Sequence, residues 1–253
     1  MKYIIGNWKM NKTIDESIVF INKLEFALKN FNNKLNLNIF ISPPSIYLAP
    51  LNQLVTSFKL IGQNISSEDY GAYTGELSAM MLSQYVNHVI IGHSERRKYF
   101  HEDNSILYKK LKLCFKYDIV PVFCIGEDQE DRDTGNYLKV IQKQLEDTVM
   151  LFVDSQLSNL MIAYEPVWAI GTGLIPSSDQ IGEVHSYIRD LLSNKIVDFN
   201  ADDIPILYGG SCTSKNAQLI LQQNNVNGLL IGGASLDIVH FQEIIQIANK
   251  ISS

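Results

Sequence analysis

Short apolar runs, each closed by a polar turn and followed by a helical pattern, recur from one end of this chain to the other. We read strands at residues 3–8, 37–41, 59–62, 88–91, 119–125, 160–164, 206–208 and 228–231. Their apolar residues are mostly consecutive, as expected of strands covered on both faces. The helical stretches between them are amphipathic. Ile14, Ile18, Ile21, Leu24, Leu28 and Phe31 make one stripe; Ile181, Val184, Ile188 and Leu191 make another; Ile238, Phe241, Ile245 and Ala248 make the last. Thr13 with Glu16, and Ser177 with Gln180, fit capping boxes at two helix starts. Such alternation implies a parallel sheet, and periodicity alone leaves open whether it closes into a barrel. No linker or shift in composition divides the 253 residues, so one domain over residues 1–253 is expected. About 250 residues is also the usual size of a single α/β barrel. In either architecture the site belongs just beyond the carboxyl ends of the strands.

Twenty-one Lys and Arg stand against 27 Asp and Glu, a formal net charge of −6. That balance disfavours binding to nucleic acid or to an anionic membrane, and an anionic ligand must be held by a local feature. Cys114, Cys124 and Cys212 have no Cys-x-x-Cys spacing, so a disulfide framework or zinc site is not expected. A reducing, cytoplasmic location fits them. The first apolar run turns polar at Asn7, too soon for a signal peptide, and no run approaches the roughly 20 apolar residues that span a bilayer. His88, His93, His101, His185 and His240 lack metal-ligand spacing, and no Gly-x-Ser-x-Gly nucleophile motif occurs.

Three strand ends carry chemistry-bearing residues. Lys9 closes the first strand, where its ammonium can neutralise a phosphate or an enolate oxygen; the plain alternative is a surface lysine. His93 closes the fourth, at a helix start that discourages positive charge on the ring, and a neutral imidazole there can donate to a carbonyl. It can equally be a structural histidine, and Glu95, Arg96 and Arg97 beside it can be a solvated charge cluster. Glu165 closes the sixth, between a buried strand and an apolar segment. A carboxylate drawn out of water there is suited to taking a carbon-bound proton; the plain alternative is a helix cap or a bridge to a cation. Glycine-rich turns follow late strands at Gly171-Thr172-Gly173, Gly209-Gly210-Ser211 and Gly232-Gly233-Ala234-Ser235, where backbone N–H groups can approach phosphate oxygens.

Seven ordered motifs together resemble the triosephosphate isomerase family over the whole chain. They are Asn7-Trp8-Lys9-Met10-Asn11, Gly71-Ala72-Tyr73-Thr74-Gly75-Glu76, Ile91-Gly92-His93-Ser94-Glu95-Arg96-Arg97, Cys124-Ile125-Gly126-Glu127, Ala163 through Gly173, Tyr208-Gly209-Gly210-Ser211 and Gly232-Gly233-Ala234-Ser235-Leu236. The resemblance implies a single-domain (β/α)₈ TIM barrel, with a central parallel β-barrel and outer helices. It also implies cofactor-free interconversion of dihydroxyacetone phosphate and D-glyceraldehyde 3-phosphate, a step of glycolysis and gluconeogenesis. Glu165 would be the base, His93 the neutral electrophile and proton shuttle, Lys9 the stabiliser of the enediolate, Asn7 an orienting group and Glu95 a support for the lysine. Asn7, Trp8 and Lys9 would line the substrate, and Gly171, Ser211, Gly232 and Gly233 would hold its phosphate. The segment from Pro166 would be a closing lid. The loop from Gly71 to Glu76 would interlock two copies into a homodimer, with Met10, Asn11 and Thr74 near the contact.

Two departures from the family pattern stand out. Leu174-Ile175-Pro176 replaces the usual lysine and small residues after Gly-Thr-Gly, at the lid's far hinge. Asp237 replaces a common cation after Gly-Gly-Ala-Ser-Leu, and would weaken phosphate binding slightly unless it turns to solvent. Two rival readings are an isomerase of larger phosphosugars and a catalytically dead barrel used as a scaffold. The short lid with its bulky Trp168 counts against the first, and retention of Lys9, His93 and Glu165 counts against the second.

Overall fold

A computed structural model describes residues 1–31, 35–172 and 174–252. Its strands are β1 (Lys2–Asn7), β2 (Leu37–Ser42), β3 (Lys59–Leu60), β4 (His88–Ile91), β5 (Val120–Ile125), β6 (Met161–Tyr164), β7 (Ile206–Tyr208) and β8 (Gly228–Ile231). Every ladder is parallel, in the order β3-β2-β1-β8-β7-β6-β5-β4. The two edges meet through one bridge between Gly62 and Val89. There the Gly62 N–H donates to the His88 carbonyl at 3.0 Å, and the Ile90 N–H donates to the Gly62 carbonyl at 2.9 Å. The sheet is therefore a nearly closed barrel, as the family resemblance implied. The strands read from sequence are all present, three of them with the same bounds. The others differ by one or two residues: Trp8, Ile61, Gly62, Ile119 and Leu160 fall outside the regular ladders, and Lys2 and Ser42 join them.

Apolar residues run consecutively because each strand packs on both sides. Ile5, Phe40, Ile61, Ile90, Val122, Cys124, Met161, Ala163, Leu207 and Leu230 form the plug inside the barrel. Their neighbours Ile4, Ile39, Ile41, Val89, Ile91, Phe123, Ile162 and Leu229 belong to the larger layer between barrel and helices. Successive side chains of a strand point to opposite faces, so one run of sequence fills both layers.

The helices follow their stripes. Helix Ile14–Lys29 begins with the expected Thr13–Glu16 capping box, and Ile21, Leu24 and Leu28 are buried while Ile14 and Ile18 are partly so. On the same face sits Glu25, a carboxylate that the apolar stripe does not reveal. It is tolerated there because it accepts from the backbone N–H and hydroxyl of both Thr56 and Ser57, at 2.6–2.8 Å. Helix Ser178–Lys195 begins with the Ser177–Gln180 box and buries Ile181, Val184, Ile188 and Leu192, with Leu191 only partly covered. Helix Ile238–Ser252 buries Phe241, Ile244, Ile245 and Ala248. No described helix is long and apolar enough to cross a membrane.

His185 of helix Ser178–Lys195 has no solvent exposure. Its Nδ1 lies 3.1 Å from the Asn225 carbonyl, its ring meets Tyr164 edge-on at 5.8 Å, and its Nε2 has no partner among the described residues. Burial pushes its pKa down to about 4, against 6.5 for an ordinary histidine. The unfolded chain therefore takes up a proton below pH 6.5 that the folded chain refuses until about pH 4. The stability tied to neutral His185 is complete above pH 6.5 and is lost as pH falls through that window, by on the order of 3 kcal/mol. Urea unfolding at pH 7 and pH 4.5 should show a shallower pH dependence in His185→Gln than in the unaltered chain. Equal slopes would rule out His185 as the source.

Candidate active site

The carboxyl ends of β1, β4, β6, β7 and β8 open into one cavity of about 440 Å³, lined by Asn7, Lys9, His93 and Glu165. Ile170, Gly171, Gly209–Thr213, Leu230, Gly232–Ala234 and His240 complete it. The volume suits a small ligand.

Lys9 enters this cavity from a left-handed backbone, with φ of 52°. Such a conformation is uncommon outside glycine and persists where neighbours fix it. The neighbours are clear. The Asn7 Oδ1 accepts from the Lys9 N–H at 3.0 Å, and the Gln63 Nε2 donates to the Lys9 carbonyl at 2.9 Å and to the Ser42 carbonyl at 3.0 Å. The Lys9 ammonium meets Glu95 Oε1 at 2.5 Å. Gln63 was missed in the sequence. It lies just beyond the third apolar run, the same kind of position that singled out Lys9 and His93.

His93 caps helix Ser94–Tyr99, and its Nδ1 accepts from the Glu95 N–H at 3.2 Å. A neutral ring that accepts at Nδ1 carries its proton on Nε2. That nitrogen stands 3.3 Å from Glu165 Oε1. Glu165 is only 1% exposed; its Oε2 accepts from the Ser94 N–H at 2.8 Å, while Oε1 accepts no hydrogen bond from a described residue. One oxygen is anchored and the other faces the cavity.

Two glycines make this placement possible. A Cβ on Gly126 would lie 1.7 Å from the Glu165 carbonyl oxygen, and one on Gly209 would lie 2.9 Å from Glu165 Cγ. The turns after β5 and β7 thus press directly on the Glu165 backbone and side chain. Arg97 reinforces the same corner, donating to the carbonyls of Gly92 and Cys124 at 3.0 Å. Arg96 is paired with Glu102 at 2.7 Å. The solvated-cluster reading of residues 95–97 is therefore set aside: Glu95 holds Lys9, Arg96 is ion-paired and Arg97 staples β4 to β5.

Trp8 requires a correction. It is fully buried in the layer under the helices and packs edge-on against Phe20 at 5.0 Å, so it cannot line the substrate. Side chains alternate along an extended segment; Asn7 faces the cavity and Trp8 the opposite side.

The near end of the segment that begins at Pro166 is tied down. Trp168 Nε1 and the Tyr164 hydroxyl donate to Glu127 Oε1 at 2.8 and 3.0 Å, and the Ser211 hydroxyl donates to the Ala169 carbonyl at 2.7 Å. Burial pushes the Glu127 pKa up, opposed by these hydrogen bonds and by Arg132. At the far end Leu174 and Ile175 are exposed and Pro176 is buried, directly before the Ser177 cap. Gly173 lies outside the described residues. Gly171 has φ of +71°, which glycine adopts without strain. Asp237, the second departure, is occupied as a helix cap: its carboxylate accepts from the N–H groups of Val239 and His240 at 2.8 and 3.0 Å.

The sequence profile of a family described as triosephosphate isomerase matches residues 2–248. The chain belongs to the triosephosphate isomerase family. Among named triosephosphate isomerases, that of Porphyromonas gingivalis is 41% identical over 246 residues, covering 96% of this chain and 97% of that protein. Those of Thermodesulfovibrio yellowstonii and Bacteroides fragilis are each 42% identical, over 97% of this chain and 98% of theirs. Membership of the triosephosphate isomerase family makes the chain an isomerase on a (β/α)₈ barrel, and the strand order above is that of such a barrel.

The contact between Gly209 and Glu165 gives a test of the site's packing. Gly209→Ala should displace the Glu165 carboxylate by several tenths of an ångström and lower triose phosphate turnover about tenfold or more, since small misplacements at a reacting centre are costly. A crystal structure and kinetics of the variant check this; an unmoved carboxylate with unaltered turnover would refute it.

Proposed function

We propose that this chain interconverts dihydroxyacetone phosphate and D-glyceraldehyde 3-phosphate through an enediolate, in glycolysis and gluconeogenesis, using Glu165 as base and His93 as electrophile. The observation that carries the reading is the pair itself: a buried carboxylate with one free oxygen, 3.3 Å from an imidazole nitrogen that bears a proton when the ring is neutral. Glu165 Oε1 takes the proton from the ketose C1. The C–H electron pair becomes the C1–C2 double bond, and the carbonyl pair moves onto O2. His93 Nε2 donates its proton to O2 and recovers one from the O1 hydroxyl, and Glu165 returns its proton to C2. A neutral imidazole in this role is the tuning known for this enzyme family.

The remaining residues have supporting work. Lys9 offsets charge developing on the substrate oxygens, with Glu95 holding its ammonium in place and Asn7 fixing its backbone. Gly171, Ser211, Gly232 and Gly233 line the same cavity, and their backbone N–H groups suit a phosphate. Residues 166–176 act as the lid that excludes water from the enediolate. Three buried free thiols, Cys114, Cys124 and Cys212, favour a cytoplasmic setting.

Glu165→Asp withdraws the carboxylate by about an ångström and should lower turnover about a hundredfold with little change in substrate affinity. Near-normal turnover in the folded variant would remove Glu165 from the role of base.

A homodimer forms part of the proposal. Residues 71–76 are all exposed, and Met10, next to Lys9, is 95% exposed, an unusual setting for an apolar side chain beside a catalytic group. A second copy gripping this region would shelter both. Sedimentation should give a dimer, with activity falling as the dimer is diluted apart; a fully active monomer at nanomolar concentration would contradict this.

A further inference from the structure

We propose that His240 is an auxiliary cation for the substrate phosphate, acting from the start of the last helix; the inference rests on the reading of the cavity given above. His240 lines the same cavity as Gly232 and Gly233, yet it lies in none of the family motifs in the sequence. It is the third residue of helix Ile238–Ser252, is exposed, and its ring makes no hydrogen bond to a described residue. Other charges around it have duties elsewhere. The Lys9 side chain lies against Gly232, but its ammonium is bound to Glu95; Glu165 is held by the Ser94 N–H and stands beside His93. On the phosphate side the Cys212 thiol stays neutral, because burial pushes its pKa up to about 12. Asp237, at the start of the same helix, carries the adjacent negative charge. Its carboxylate is turned onto the N–H groups of Val239 and His240, and it also interacts electrostatically with the His240 ring and with Lys12, whose ammonium donates to the Leu236 carbonyl at 2.9 Å.

Among the described lining residues, His240 is then the basic side chain that makes no hydrogen bond to another described residue, whereas Lys9 and His93 each have one. A phosphate among the amides of Gly232 and Gly233 would favour the protonated ring, and the protonated ring would favour phosphate. In a chain with a net charge of −6, such a local cation raises the affinity for an anion without altering the proton-transfer groups. The effect belongs to binding, so it should appear in KM and in competitive inhibition by inorganic phosphate, with kcat little changed.

The test compares the unaltered enzyme with His240→Asn, His240→Glu and His240→Lys. At pH 6 and low ionic strength, KM and the inhibition constant for inorganic phosphate should rise about two- to fivefold in Asn and further in Glu, a modest effect suited to a solvent-facing charge. Lys should restore both values and remove their dependence on pH between 6 and 8. Added salt should shrink the differences. In proton NMR of the unaltered enzyme, inorganic phosphate should raise the pH at which the His240 ring titrates. Constants in Asn and Glu within experimental error of the unaltered enzyme, or a ring titration indifferent to phosphate, would overturn the proposal. Lack of turnover in the unaltered enzyme would instead defeat the functional reading, and the phosphate titration would still decide the role of His240.

Discussion

A parallel sheet with apolar side chains on both faces has to be covered twice. In this chain the sheet meets the demand by bending round until its own inner side chains cover one another, while the helices cover the outside. Once Ile5, Phe40, Val122, Met161 and their partners fill the interior, polar groups have no room along the strands and are displaced to the ends. The location of the chemistry is thus a by-product of the packing. Asn7, His93 and Glu165 stand where strands stop, and their precision is inherited from a rigid ring of backbone hydrogen bonds.

Within that ring the Glu165 carboxylate is the group most dependent on its surroundings. Burying it is costly unless its oxygens are satisfied, and only one is, by the Ser94 N–H. The other is left for the cavity. Gly126 and Gly209 allow this by their lack of side chains, and Arg97 by holding β4 and β5 together. Lys9 shows the same economy: its left-handed backbone is accommodated by Asn7 and Gln63, and its ammonium by Glu95. Reactive groups are fixed by partners that take no part in the proposed proton transfers.

The sequence displayed more of this than is common, for particular reasons. Strands buried on both faces leave uninterrupted apolar runs, and the polar residues that close a run mark the barrel's rim; Lys9, His93 and Glu165 were singled out in that way. The resemblance placed Trp8 beside the substrate, and the structure does not, because one step along an extended chain reverses the face and Asn7 has the cavity side. Contacts between distant segments were also hidden. Nothing local announces that Ser94 will bond Glu165, 71 residues away, or that Arg97 will reach the Cys124 carbonyl. Glu25 was concealed by its setting, since a carboxylate on an apolar stripe gives no sign of the Thr56 and Ser57 donors that receive it.

The barrel's closure at Gly62 and Val89 gives the ring a clasp. Seven neighbouring strand pairs are joined by ladders of two or more residue pairs, and the eighth junction by a single bridge. The stretch of chain between the two sides of that clasp runs from residue 62 to residue 89 and carries the exposed loop at residues 71–76. A second subunit that takes hold of this loop also fastens the thinnest junction of the barrel. In the proposed homodimer, assembly and the integrity of the single fold would cease to be separate properties: the partner would be, in mechanical terms, the latch on a hoop that its own strands only just close.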